Sequence, residues 1–144
     1  MDIPVFHDDQ HGTAIVCLAG LINACQITGK QFKDLRVVVN GAGAAGIACL
    51  KLIIAYGADP SKCILVDTQG VCYKGRTKGM NPYKDELAVE TKCRNFAEAC
   101  VGADVLIGVS GPGIFTEAIL QTLNQNPIIF AMANPEPEVR PEIA

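Results

Sequence analysis

The chain has 144 residues, 49% of them hydrophobic and 19% charged, with a net charge of −3. That length suits one domain with a sizeable core, burying roughly 68–70% of the surface its unfolded chain would expose, and a composition this apolar excludes disorder. The 12 basic residues are scattered, which argues against a nucleic-acid partner, and no run of 18 apolar residues offers a membrane span.

The opening MDIPVFHDD has neither the charged n-region nor the apolar h-region of a signal peptide. It runs into VFHDDQHGTAIV, which sets two carboxylates and two histidines directly before an apolar stretch. The spacing predicts a core helix over residues 12–28, stopped by Gly29. LRVVV (35–39) is a short β-branched run, as expected of a strand buried on both faces. A helix over 44–57 follows, then a turn at ADPSK and a second strand, CILVD (63–67). Residues 68–82 read as a long surface connection and 83–100 as helical in one or two pieces. A third strand is expected within 102–109, a helix over 115–123 and a fourth strand within 127–133. This alternation implies a doubly wound, Rossmann-type α/β fold, a parallel sheet with helices on both faces. One dinucleotide-binding domain then spans residues 1–144, led by an acidic motif and helix over 1–29.

Seven cysteines, an odd number without a CxxC pair, fall mostly in apolar segments. There cysteine packs as a small hydrophobe. The pattern fits a reducing, cytoplasmic compartment better than a disulfide framework or a zinc site.

The first strand runs into NGAGAAGIACL, which places Gly41, Gly43 and Gly46 between a strand and a helix. Asp67 ends the next strand 21 residues past Gly46, so the motif has the context that a lone GxGxxG lacks. Gly41 permits the turn, Gly43 admits a pyrophosphate and Gly46 lets helix and strand pack closely. The phosphates then meet the positive end of the helix that starts near Ala44. Asp67 is placed to accept hydrogen bonds from a ribose diol. A carboxylate there repels a 2′-phosphate and favours NAD, while Lys74, Arg76 and Lys78 could fold back to neutralise one and admit NADP. GVSGPG, with Ser110 and Gly111, leaves room for a ribose or nicotinamide after the third strand, unless it is an ordinary strand-to-helix turn. ANPEPE follows the fourth strand. Its Asn134 precedes proline, is held out of helical conformation and should aim its amide at the cleft.

Asp8 and Asp9 have several readings: helix caps, a solvated acidic turn, a cluster with His7 and His11, or one hard ligand for Mg²⁺ or Mn²⁺ beside a hydrogen-bonding partner. Spacing does not choose among them, and the two histidines are expected to be loop residues. Taken together, IPVFHDDQHGTAIV, NGAGAAGIAC, GVSGPG and ANPEPE resemble malic enzyme in its compact bacterial-type form, in the same order over nearly the whole chain. The resemblance implies oxidative decarboxylation of malate with a nicotinamide cofactor and a divalent cation, in a full-length homo-oligomer. It makes Asp9 a metal ligand and Asp8 the neighbour of a catalytic lysine. Thr13, Ala42, Gly43, Ala44 and Ala45 fall at the cofactor phosphates, Asp67 at the ribose and Asn134 beside the nicotinamide and substrate. The family's catalytic tyrosine and lysine and its Glu-Asp metal pair precede the acidic motif. The chain is therefore expected to be a fragment, inactive alone. Another Rossmann-type oxidoreductase, or a non-catalytic nucleotide-binding module, would share the glycine motif.

Overall fold

A computed structural model of the protein describes residues 2–144. Its centre is a five-stranded sheet: β1 Val37–Asn40, β2 Cys63–Asp67, β3 Gly70–Val71, β4 Val105–Gly108 and β5 Ile128–Ala131. The spatial order is β3-β2-β1-β4-β5, with β1 flanked in parallel by β2 and β4, and β5 parallel to β4. The two-residue β3 pairs antiparallel with the end of β2. It lies inside the stretch expected to be a surface connection, and its brevity left no alternation to read.

Alternate residues of the strands feed two cores. Val37, Val39, Leu65, Val105 and Ile107 face α1 (Thr13–Thr28) and α2 (Ala44–Tyr56), while Val38, Ile64, Val66 and Leu106 face α4 (Phe96–Cys100) and the segment around Phe115. The period of two along each strand is the reason that both faces are covered. On the first face, Cys17, Leu21 and Cys25 of α1 interlock with Cys49, Leu50 and Ile53 of α2. All seven cysteines are free, and all but Cys93 are buried.

The expected elements differ mainly at their ends. α1 stops at Gly29 in the left-handed conformation, as anticipated. Upstream, a π-helical turn, Asp8–Gly12, extends it to 21 continuous residues, long and apolar enough by composition to cross a bilayer. One side of α1 packs in the core, as Cys17, Leu21 and Cys25 show. Of the one or two helical pieces expected over 83–100 there are two, both short, α3 (Pro82–Glu86) and α4, each capped by an asparagine side chain, Asn81 and Asn95. Those caps explain the break. The helix expected over 115–123 is the single turn α5 (Glu117–Leu120), started by the Thr116 hydroxyl.

Two glycines hold the centre together. Gly41 has φ of 123°, and a Cβ there would come within 2.9 Å of the Val109 carbonyl oxygen. At Gly46 a Cβ would collide with the carbonyl oxygen of Gly41. Gly46→Ala should therefore lower the stability of the chain by at least about 2 kcal/mol, since backbone has to shift to relieve the overlap. Urea denaturation checks this, and an unchanged midpoint would contradict the packing.

Candidate dinucleotide site

The strand order reverses at β1: the chain passes from β1 to β2 on one side, then to β4 on the other. Parallel α/β sheets bind ligands outside the carboxyl ends of the strands at such a switch point. A cleft of about 670 Å³ opens there, walled by Asn40 to Gly43, Val66 to Gly70, Arg94 to Phe96, Ser110 and Ile114.

The floor of the cleft fits an anion. Gly43 caps α2 without a side chain, and a Cβ built there would meet nothing within 4 Å. No side chain occupies the first-turn N–H groups of Ala44 to Gly46, which have no partner within the helix. An open floor under free N–H groups and a helix dipole suits a pyrophosphate. Asn40 ends the β-branched run and is buried, donating from Nδ2 to Ser110 Oγ at 3.2 Å. Val109 N–H in turn donates to the Asn40 carbonyl. Asn40 was not singled out in the sequence, although a polar residue closing an apolar strand is a readable signal.

Asp67 lies on the wall as expected, but its carboxylate is already engaged. Arg76 forms a two-pronged ion pair with it, Lys84 Nζ donates to Oδ2 at 2.6 Å, and the Gln69 N–H donates to Oδ1 at 2.8 Å. Arg76 also donates to the carbonyls of Gly70, Val71 and Gly79. Burial alone would push the Asp67 carboxyl up. The hydrogen bonds from Arg76, Lys84 and Gln69 and the charge of Arg76 outweigh it and hold the pKa at about 2. Of the three cations considered in the sequence, Arg76 alone folds back. Lys74 and Lys78 stay exposed, and Lys84 takes the second place. Lys84 stands 17 residues beyond Asp67 and carries no local signal.

The other expected residues are dispersed. Thr13 opens α1, half-buried. Gly111 lies in the turn after β4, next to Ser110, which is on the wall. Asn134 is exposed beyond β5 and does not line the cleft, contrary to the aim expected of its amide. Asp8 and Asp9 are exposed in the π-helical turn, and neither carboxylate caps it or joins an ion pair among the described residues. His11 is not in a loop; it lies within that turn, its ring 5.8 Å from that of Phe6. Among the described residues no group of three or more His, Cys, Asp or Glu could hold a metal ion. A residue that sequence reasoning passed over is Glu138, fully buried within ANPEPE, accepting N–H bonds from Ser110 and Ala133.

Residues 10–143 match the model of the malic enzyme NAD binding domain. The chain belongs to that family. It is 58% identical to the probable NADP-dependent malic enzyme of Rickettsia prowazekii and to the NADP-dependent malic enzyme of Rhizobium meliloti, over 99% of its own length. It spans only 18% and 19% of those two proteins. The crystal structure of Entamoeba histolytica malic enzyme superposes with a TM-score of 0.92 at 42% identity, covering 99% of this chain and 31% of that one. The malic enzyme domain thus places its glycine loop, Asp67 and Ser110 around one cleft, as the motifs led one to expect.

The pH dependence of stability follows from Asp67. Its folded pKa lies below the unfolded value, so its ion pairs stabilise the fold above about pH 4 and are lost as pH falls from about 4 to 2. The difference is on the order of 2 kcal/mol. Urea midpoints measured from pH 7 to pH 2 should fall more shallowly across that window in Asp67→Asn than in the unaltered chain.

Proposed function

We propose that this chain is the nucleotide-binding part of a malic enzyme that converts malate to pyruvate and CO₂ while reducing NADP. The observation that carries this reading is the open floor at Gly43 beneath the free N–H groups of α2, in a chain of the malic enzyme NAD binding domain family. A bound nicotinamide cofactor would supply the hydride acceptor. This chain's own residues do the holding. Gly41 to Gly46 cradle the pyrophosphate, with Thr13 as a further phosphate contact; Asp67 borders the adenosine ribose; Ser110 and Gly111 border the nicotinamide half.

The cofactor reading moves from NAD towards NADP for an electrostatic reason. Two cations face the single carboxylate of Asp67, so the ribose end of the cleft is net positive rather than negative. A 2′-phosphate is attracted there, whereas a diol finds the Asp67 oxygens already engaged.

Asp9 would offer one carboxylate to Mg²⁺ or Mn²⁺ and Asp8 would stand beside it. The described residues do not complete a metal site, so no step is assigned to a metal. Exposed Val5, Phe6, Val16 and Ile27 give an apolar surface around the start and outer face of α1, consistent with contact to further chain.

Calorimetric titration tests the reading. The chain should bind NADP more tightly than NAD and give no NADPH from malate and Mn²⁺. Lys84→Ala should lower the NADP preference about tenfold, the value of one charge-assisted contact. Turnover by the chain, or an unaltered preference in Lys84→Ala, would contradict it.

A further inference from the structure

Glu138 is withdrawn wholly from solvent, with 0% exposure, further than the other buried charged residues, Arg76 and Asp104. Among the described residues no lysine, arginine or histidine pairs with it. A buried carboxylate without a cation is costly unless hydrogen bonds replace its water. Glu138 has two. Oε1 accepts the Ser110 N–H at 3.1 Å and Oε2 accepts the Ala133 N–H at 3.0 Å. The first donor belongs to the turn after β4 and the second to the turn after β5, next to Asn134. The carboxyl group fits because β4 ends in Gly108, where a Cβ would strike it. The backbone of the same residue is pinned as well, its carbonyl accepting the Phe115 N–H at 3.1 Å.

We infer that Glu138 is a positioning residue, a buried clamp that fixes the turn carrying Ser110 against the turn after β5 and so shapes the nicotinamide half of the cleft. The inference rests on the nucleotide-binding reading above. The chemistry explains why the residue is glutamate. Two N–H groups converge on opposite oxygens, and only a carboxylate presents an acceptor at both. In glutamine one end becomes an NH₂ donor facing a donor, with no change in volume. The adenosine half of the cleft, at Asp67 and Gly43, touches neither bond.

The test therefore uses two probes on the chain: NADP, and adenosine 2′,5′-bisphosphate, which lacks the nicotinamide half. Glu138→Gln should weaken NADP about tenfold, the loss expected of one buried contact reversed, and leave the bisphosphate unchanged. Glu138→Asp keeps both oxygens on a shorter stem and should recover part of the NADP affinity. If Glu138→Gln fails to fold, the comparison of the two probes in Glu138→Asp decides alone, with a loss confined to NADP expected. Equal losses for both probes would show a structural role only, and unchanged NADP binding would remove the clamp; either overturns the inference. If the unaltered chain binds neither probe, the cofactor reading fails first, and the inference falls with it.

Discussion

The fold turns on one close approach. At the end of β1 the backbone reverses through Gly41, whose carbonyl lies against the Cα of Gly46 and whose own Cα lies against Val109. Three elements, β1, α2 and the end of β4, thereby meet, with the Val109 side chain packed against both glycines. Only glycine satisfies both the positive φ at Gly41 and the contact at Gly46. The contact brings the start of α2 down onto the sheet edge, so that its free N–H groups open into the space above Gly43. Were Gly46 any larger, the helix would stand off, and the cleft floor would lose its shape.

Two carboxylates organise the walls of that cleft, Asp67 on its lining and Glu138 behind Ser110, and they are stabilised by opposite means. Asp67 is held by cations: Arg76 and Lys84 converge on it, and through them the segment after β2 is drawn back to the carbonyls of Gly70, Val71 and Gly79. What looked like a loose connection is anchored by a buried arginine, and β3 is the short strand that this anchoring allows. Glu138 is held instead by two backbone N–H groups, with no cation. The first arrangement leaves a net positive charge around Asp67, and the second ties the turn after β4 to the turn after β5. Each carboxylate costs desolvation, and each is offset by the hydrogen bonds that organise its surroundings.

Local sequence was a good guide where the physics is local. β1, β2, β4 and β5 were each legible because strands buried on both faces must be continuous apolar runs. Helix α1 was legible from its stop at Gly29, and the glycine motif from its place between a strand and a helix. The misplaced boundaries had local causes that periodicity does not weigh. Asn81 and Asn95 cap two short helices in the span read as one or two helical pieces, and His11, expected in a loop, lies in a π-helical turn. The side-chain roles were the least legible part. Asp67 was found, but its partners were only half anticipated, and Asn40, Arg94 and Glu138 were not weighed.

By itself, then, the sequence determined the fold class, the order of its main elements, the family and the glycine turn between β1 and α2, because each depends on spacing along a short stretch of chain. Tertiary structure decided what the charges do. Whether Asp67 meets a ribose or an arginine, and whether Glu138 faces solvent or two amides, depends on segments 5 to 28 residues apart in the chain being folded against one another. Electrostatic roles are set by neighbours in space, and no spacing rule specifies those neighbours.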